Sequence, residues 1–214
     1  MPVIYCSSYN PGSSSISEVT RLEHTLGREL LRHGISRFTG IELSPGELSA
    51  SLSTSENGKP FLPDFPDLHF NITHCDSLAA CAFDRSPVGV DAEKPGYFAE
   101  ILIKKALTKE EQKFMKSQSV SSELRAEWFF RFWTLKEAFV KQSGIGVDTD
   151  LHSFSFSFTP ADGKSLPSVR VLSGSDDSPV EYDSSCHIVC REHPEIKCFQ
   201  AKLPSGHILS ACFS

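Results

Sequence analysis

The sequence has 214 residues, 39% hydrophobic and 10% aromatic, which is enough to bury a core as one compact domain or two small halves. Its formal net charge of −6 argues against general nucleic-acid binding, because a nucleic-acid binder needs a basic face to neutralise phosphates. No run approaches the ~18 apolar residues of a membrane span, and the first residues lack the pattern of a signal peptide. We therefore expect a cytoplasmic protein that does not bind membranes.

The N-terminal part predicts a strand, a helix and then a set of strands. A short strand from Pro2 to Ser7 precedes leucines at helical spacing, which predict a helix that ends near Gly34. Residues 44–66 carry many Pro and Gly residues and are expected to be mostly turn and loop. Alternating or continuous apolar patterns predict strands at residues 68–72, 78–83 and 88–93.

The C-terminal part predicts two helices followed by strands. The first helix carries a capping box, Thr108 to Glu111, and the second runs from about Ser122 to Gln142 and stops at Gly144. Further strands are expected near residues 154–158, 169–172, 187–189 and 207–213, forming an antiparallel set. Together these elements predict an α+β fold.

A short internal similarity hints at duplication. Ser77–Phe83 resembles Ile208–Phe213 near the C-terminus. The similarity covers only one short apolar strand, and such strands resemble each other by chance, so it is weak support for two related halves.

Two carboxylates mark the first candidate site. Asp91 and Glu93 are two apart on a predicted strand, so both point to one face while Ala92 turns into the core. Neighbouring carboxylates raise each other's pKa unless a cation neutralises them, and oxygen ligands on one face suit Mg²⁺. A solvated strand end with two unrelated acids is the alternative interpretation.

A helical stripe marks the second candidate site. Positions i, i+4 and i+8 of this helix are Trp133, Glu137 and Lys141, so the three side chains form one stripe on its surface. Lys136 lies beside this stripe. A surface pair between Glu137 and Lys141 is the alternative, although the surrounding aromatic residues favour a core or a cleft.

Both sites belong to motifs that resemble one enzyme family. Gly89–Lys94 followed by Trp133–Ala138 is similar to the paired signature of the 4′-phosphopantetheinyl transferases of the Sfp type. Asn57–Phe61 resembles the family's Gly-Lys-Pro turn, and Phe70–His74 resembles its Phe-Asn-Ile-Ser-His strand end. The resemblance covers roughly residues 20–160. It implies a pseudo-dimer of two similar α+β halves, placed here at residues 1–86 and 87–214, with coenzyme A in the cleft between them.

The resemblance also implies the ligands of a metal and of coenzyme A. Three acidic residues would hold Mg²⁺ against the pyrophosphate of coenzyme A: Asp91, Glu93 and Glu137. Lys141 would contact the pyrophosphate, while the adenosine 3′-phosphate end would be surrounded by Lys59, Thr73 and His74. Arg28 and Arg32 on the first helix are further candidates for phosphate contacts. Thr73 replaces the family's commoner Ser but keeps a hydroxyl.

The implied reaction moves the phosphopantetheine arm to a serine of an apo acyl or peptidyl carrier protein. The products would be the holo carrier protein and adenosine 3′,5′-bisphosphate. The serine needs a base, and the candidates are Glu137, a metal-bound hydroxide and Glu111, which matches a functional glutamate of the family. For Glu111 the capping box is an equal alternative to catalysis.

The partner and the assembly state are expectations of the same kind. Positive charge concentrates around one predicted helix, at Lys104, Lys105, Lys109, Lys113 and Lys116, and we expect it to help seat an acidic carrier protein together with Arg125 or Arg131. A monomer is expected because the two halves would already supply both walls of the cleft.

Two alternative functions are a non-catalytic module that binds coenzyme A or a carrier protein, and another magnesium enzyme such as a nucleotide hydrolase. The hydrolase lacks support because no G-x-x-x-x-G-K-[ST] loop is present.

Overall fold

The computed structural model describes residues 2–10, 12, 15–146, 149–160, 170–173, 176–179 and 186–214. Five helices lie in these ranges: α1 (Ile16–Thr39), α2 (Pro45–Ser51), α3 (Ile101–Ala106), α4 (Lys109–Gln118) and α5 (Ser122–Ser143). The strands of the N-terminal part are β1 (Val3–Ser8), β2 (Ser53–Thr54), β3 (Pro60–Phe61), β4 (His69–Cys75), β5 (Leu78–Asp84) and β6 (Val88–Glu93). The later strands are β7 (Phe156–Pro160), β8 (Arg170–Ser173), β9 (Asp176–Pro179), β10 (Cys186–Cys190), β11 (Lys197–Lys202) and β12 (Ile208–Phe213).

The strands form two five-stranded sheets and a small two-stranded one of β2 and β3. The first sheet has the order β4-β5-β1-β8-β9 and the second has the order β6-β12-β11-β10-β7. The second sheet is antiparallel, as expected, but β8 does not belong to it and instead pairs in parallel with β1. The expectation of one C-terminal strand set was wrong on this point, because strand patterns do not say which sheet a strand joins.

The same arrangement of strands and a helix occurs twice. In the first half β5 pairs with β1 and β4, and α1 packs on this sheet; in the second half β12 pairs with β6 and β11, and α5 packs on that sheet. The two segments of the internal similarity are therefore the equivalent strands β5 and β12. The α+β fold of two similar halves is confirmed. The division at residues 86 and 87 stays a proposal, since β8 and β9 come late in the chain but extend the first sheet.

The core consists of three layers, two between a helix and a sheet and one between the two sheets. One cluster fills the space between α1 and the first sheet, another joins the inner faces of the two sheets, and a third, rich in aromatic rings, lies between α5 and the second sheet. Side chains alternate between the two faces of β6. Val88, Val90 and Ala92 face the cluster between the sheets, so Asp91 and Glu93 face the α5 side.

Two helix predictions needed correction. The first helix continues past Gly34 to Thr39 and ends at Gly40, whose φ of 75° is the left-handed conformation that favours glycine. Gly34 is instead a packing position, because a Cβ there would lie 2.1 Å from the ring of Phe83. Residues 44–66, expected to be mostly turn and loop, also contain α2, which begins with a capping box between Ser44 and Glu47, and the short strands β2 and β3.

The other helix boundaries agree with the sequence. The capping box of Thr108 and Glu111 begins α4, and α5 spans Ser122–Ser143 with Gly144 as its C-cap. Neither α3 nor β11 was predicted. No helix in the described part of the chain is long and apolar enough to cross a bilayer.

Candidate active site

The site is built where the edge strands of the two sheets meet, between β4 and β6. Gly89 on β6 lies against the backbone of α5: a Cβ there would be 2.0 Å from the Ala138 carbonyl oxygen and 2.3 Å from the Gln142 nitrogen. Any side chain at this position would push the strand away from the helix. Glycine therefore lets the carboxylates of β6 reach the side chains of α5.

Lys141 is the α5 side chain that contacts the β6 carboxylates directly. Its Nζ lies 2.6 Å from Asp91 Oδ1 and 3.3 Å from both Thr73 Oγ1 and the Val90 carbonyl oxygen. The Thr73 hydroxyl donates to the same Asp91 oxygen at 3.0 Å. Predicted residues from β4, β6 and α5 are thus brought together.

Asn71 completes the junction of the two halves, and the sequence analysis assigned it no role. Its Oδ1 accepts the backbone N–H of Val90 at 2.9 Å. Because β4 and β6 are edge strands of different sheets, this bond satisfies a buried donor that no neighbouring strand reaches. The Asn in the Phe70–His74 motif was the available signal, since a buried amide two residues before a site residue needs a partner.

The three acidic residues share one poorly hydrated region. Burial raises the pKa of Glu93 to about 7, with Asp91 as the next cause. Burial and then Asp91 raise the pKa of Glu137, and burial raises that of Asp91 while Lys141 opposes the shift. The carboxylates therefore repel each other, and among the described residues the Lys141 ammonium compensates them through its contact with Asp91.

This donor set fits a hard divalent cation by its chemistry. Asp91 Oδ2 is buried and has no hydrogen-bond partner in the described part of the chain, which is costly for a carboxylate oxygen unless a cation is bound. The described residues do not form a ready-made group of three or more ligands around one metal position. A carboxylate set of this kind binds Mg²⁺ through one or two oxygens, with water and phosphate completing the shell.

Lys59 lies at the end of α5 rather than among the carboxylates. Its Nζ donates to the carbonyl oxygens of Lys141 at 2.6 Å, Val88 at 3.2 Å and Gln142 at 3.2 Å, and burial lowers its pKa to about 8. It therefore satisfies free carbonyls of the helix C-terminus and ties the turn at 57–60 to the second half. A cavity of about 840 Å³ opens beside it, lined by residues of this turn, of β4 and of the end of α5.

His74 lies on the α1 side of β4, as strand alternation after Thr73 requires. Its Nδ1 is 3.5 Å from Glu23 Oε2, and its ring meets the ring of His24 edge-on with centroids 5.1 Å apart. Glu23 and His24 both belong to α1, and the sequence analysis did not single them out.

Arg28 and Arg32 are turned towards α2. Arg28 donates to Ser49 Oγ at 2.5 Å, and Arg32 donates to the Leu43 carbonyl oxygen at 2.6 Å. The structure does not bring either guanidinium group into contact with the carboxylates of β6.

Glu111 and Lys136 form a fully buried ion pair away from these carboxylates. Lys136 Nζ lies 2.9 Å from Glu111 Oε2 and donates to the carbonyl oxygens of Leu151 and Phe154. Glu111 also accepts the backbone N–H groups of Thr108 at 2.8 Å and Phe156 at 2.8 Å. The capping box is confirmed, and the placement of Lys136 beside Glu137 and Lys141 was wrong because Lys136 points into the core.

A comparison with known protein families matches the part of the chain that contains the β6 and α5 residues of this site. The family model described as the 4′-phosphopantetheinyl transferase superfamily matches residues 87–206, more than half of the chain. This range contains β6, α5 and the three acidic residues.

Individual relatives carry related names. The 4′-phosphopantetheinyl transferase Sfp of Bacillus subtilis is 37% identical over 130 residues, which are 61% of this chain and 55% of the relative. The transferase gsp of Aneurinibacillus migulanus is 40% identical over 60% of this chain and 51% of its own length. HetI of Nostoc is 32% identical over 68% of this chain and 61% of its own. The chain thus spans about half the length of the curated relatives it matches.

Among solved structures, a crystal structure of the holo-[acyl-carrier-protein] synthase of Thermotoga maritima is similar with a TM-score of 0.38 and 14% identity. It covers 60% of this chain and 62% of that one.

Proposed function

The chain belongs to the 4′-phosphopantetheinyl transferase superfamily, and on this basis we propose that it transfers the 4′-phosphopantetheine group of coenzyme A to a carrier-protein serine. The acceptor is an apo acyl or peptidyl carrier protein. The serine oxygen forms a bond to the phosphorus that bears the pantetheine arm, and the bond from that phosphorus to the bridging oxygen of the pyrophosphate breaks. Holo carrier protein and adenosine 3′,5′-bisphosphate are released.

The observation that carries this proposal is the cluster of Asp91, Glu93, Glu137 and Lys141 at the junction of the halves. It joins three desolvated carboxylates, one ammonium and the partnerless Asp91 Oδ2. An enzyme that handles a pyrophosphate needs such a site, because positioning and charge compensation supply most of the rate in phosphoryl-type transfer.

Mg²⁺ is part of the proposal. Asp91, Glu93 and Glu137 would hold it, and when bound it supplies charge that stabilises the leaving pyrophosphate oxygen. Lys141 would reach the pyrophosphate from the same cluster, where Asp91 and Thr73 already orient its ammonium.

We propose Glu137 as the general base for the serine hydroxyl. Without metal its pKa is raised by burial and by Asp91. With Mg²⁺ on one carboxylate oxygen, the other oxygen would accept the serine proton. For Glu111 we propose a positioning role instead, because a backbone N–H on each oxygen and the Lys136 ammonium already bind its carboxylate.

The contacts to coenzyme A are proposed on the same grounds. Thr73 contacts Asp91, and His74 follows it on the α1 side of β4; both are kept as proposed binding residues for the phosphates. Lys59 would act indirectly, because three carbonyl groups occupy its ammonium and fix the end of α5. Arg28 and Arg32 are left out of the proposed site, since both are bound at the junction of α1 and α2.

We propose that the protein works in the cytoplasm as a monomer. Six cysteines in the described ranges are free thiols, which is typical of a reducing compartment. Both walls of the cleft come from one chain, so the site needs no second copy.

Intact-mass spectrometry tests the function directly. An apo acyl carrier protein incubated with this protein, coenzyme A and Mg²⁺ is expected to gain the mass of one phosphopantetheine group. EDTA should abolish the gain, as should Glu137→Gln, whereas Glu29→Gln on the exposed face of α1 is the matched control and should remain active. Absence of any gain with several carrier proteins, despite measurable coenzyme A binding, would favour a non-catalytic binding module.

A further inference from the structure

A row of buried polar side chains crosses the second sheet beside the proposed site. The register of the sheet places Gln200 of β11 opposite Ser210 of β12, and Ser210 opposite Asp91 of β6. Residues directly opposite each other in an antiparallel pair point to the same face of the sheet, so these three side chains face α5 together. The row thus connects a carboxylate of the site with two polar side chains from β11 and β12.

Thr134 of α5 meets this row at Ser210. Both residues are completely buried, and their hydroxyl oxygens lie 2.7 Å apart. Both hydroxyl protons are satisfied when Thr134 donates to the Phe130 carbonyl oxygen at 2.9 Å and Ser210 donates to Thr134. Ser210 in turn accepts a hydrogen bond from Gln200 Nε2 at 2.9 Å. A buried hydrogen bond therefore joins the helix to the strand.

Arg131 and Glu127 of α5 hold Gln200 from the other side. Arg131 Nη1 donates to Gln200 Oε1 at 3.0 Å, and Gln200 Nε2 donates back to the Arg131 carbonyl oxygen at 2.9 Å. The same guanidinium group donates to Glu127 Oε1 at 3.1 Å and 3.0 Å, and Lys202 Nζ lies 2.7 Å from Glu127 Oε2. Both ends of the Gln200 amide are therefore fixed where it meets Ser210.

The hydroxyl pair is close along the chain to two carboxylates of the proposed site. Thr134 is three residues before Glu137, nearly one turn of α5, and Ser210 is the cross-strand partner of Asp91. Because Glu137 and Asp91 belong to different elements, their separation depends on how far α5 lies from the second sheet. Two oxygens at 2.7 Å are about 1 Å closer than carbon atoms in van der Waals contact, so the pair fixes this spacing more tightly than apolar packing does.

We propose that Thr134 and Ser210 are positioning residues that set the separation of Glu137 and Asp91 for Mg²⁺, and that Gln200 holds Ser210 in place. The inference rests on the proposed function, because it concerns the placement of the same carboxylates. The three residues act through the backbones of α5 and β12 and not on the reacting atoms. A small change in this separation is costly, because Mg²⁺ requires a nearly ideal octahedral arrangement of its ligands.

Thr134→Val removes one hydroxyl and keeps the shape of the side chain. We expect the Mg²⁺ concentration that gives half the maximal transfer rate to rise about tenfold, as for other residues that support metal ligands. KM for the carrier protein should stay as in the wild type. The Mg²⁺ concentration needed to raise the melting temperature, measured without coenzyme A or carrier protein, should rise by the same factor.

Two further variants provide the rescue and the control. Thr134→Ser keeps the hydroxyl and should restore most of the wild-type Mg²⁺ dependence in both measurements. Thr25→Val on α1 is the matched control, because Thr25 also donates to the carbonyl oxygen four residues earlier, that of Arg21 at 2.8 Å. It should leave the Mg²⁺ dependence unchanged.

The double variant Thr134→Val with Ser210→Ala separates positioning from stability. Thr134→Val alone leaves the buried Ser210 donor without its acceptor, so it should lower the melting temperature. Removal of both hydroxyls should restore part of this loss, whereas the weaker Mg²⁺ binding should remain.

The outcomes separate this inference from the function. A wild type that transfers phosphopantetheine, together with a Thr134→Val variant of unchanged Mg²⁺ dependence, overturns the inference alone. A Mg²⁺ dependence that recovers in parallel with the melting temperature in the double variant also overturns it, because loss of stability then explains both. A wild type that shows no transfer and no rise in melting temperature with Mg²⁺ overturns the inference and the proposed function together.

Discussion

At the scale of single residues, the carboxylates of β6 and α5 are neighbouring acidic groups whose pKa values burial raises. Burial raises the pKa of Glu93 to about 7, whereas in the unfolded chain it has the ordinary value of a glutamate near 4.5. Between these values the folded protein binds more protons than the unfolded one. The free energy of unfolding should therefore fall as pH rises through this range in the absence of metal.

The direction of this pH dependence gives a prediction for Mg²⁺. A metal needs ionised carboxylates, so Mg²⁺ should raise the melting temperature strongly at pH 8 and little at pH 5.5. Melting curves with and without MgCl₂ across this range measure the effect. Glu93→Gln should reduce both the pH dependence and the shift with Mg²⁺, while Glu29→Gln should change neither. A shift with Mg²⁺ of the same size at both pH values would contradict the prediction.

The buried pair of Glu111 and Lys136 gives a second prediction at this scale. Lys136→Met leaves the Glu111 carboxylate buried without its cation, so the free energy of unfolding should fall by about 3 to 5 kcal/mol. The exposed pair of Arg125 and Glu100 provides the control, since Arg125→Met should change it by about 0 to 1 kcal/mol. Urea denaturation measures both.

The same pair distinguishes the two interpretations of Glu111. Glu111→Gln should destabilise the protein as Lys136→Met does, because the residue acts through packing and charge. Loss of phosphopantetheine transfer at wild-type stability would instead show that Glu111 takes part in catalysis.

At the scale of elements, glycines set how closely helices approach sheets. Gly34 allows α1 to pack on β5, and Gly89 allows β6 to pack on α5. Gly27 does the same between α1 and β4. These positions determine which side chains meet in the cleft, although glycine itself contributes no functional group.

Substitution of Gly34 tests this packing. Gly34→Ala would place a methyl group 2.1 Å from the Phe83 ring, so we expect a loss of about 1 to 3 kcal/mol or more in the free energy of unfolding. Gly46→Ala in α2 is the control, because nothing lies within 4 Å of a Cβ there and alanine favours a helix. Equal free energies of unfolding of the two variants in urea denaturation would show that α1 can shift without loss of stability, which would contradict the prediction.

At the scale of the whole molecule, the proposed reaction requires a chain of net charge −6 to attract an acidic carrier protein through local positive charge. The lysines at 104, 105, 109, 113 and 116 are all exposed on α3, on α4 or next to them. The double change Lys109→Glu and Lys113→Glu should raise KM for the carrier protein and leave KM for coenzyme A unchanged. Lys197→Glu on β11 is the matched control in steady-state assays. Unchanged KM values for the carrier protein in the double variant would exclude this surface.

Much of the fold and of the carboxylate site could be predicted from the sequence, because the governing patterns are local. Period two along β6 places Asp91 and Glu93 on one face, and a spacing of four aligns Glu137 with Lys141. Capping residues begin α4 and end α5 where the sequence indicates. Short-range geometry alone is sufficient for such statements.

Only the tertiary structure decided which charged groups meet. Lys136 turns into the core towards Glu111, Lys59 binds the carbonyls at the end of α5, and His74 faces Glu23 on α1. The structure also assigns β8 and β9 to the first sheet, although the strands before and after this pair in the chain, β7 and β10, lie in the second. These contacts join segments far apart in the chain, so they depend on how the two halves pack and not on the residues next to each group.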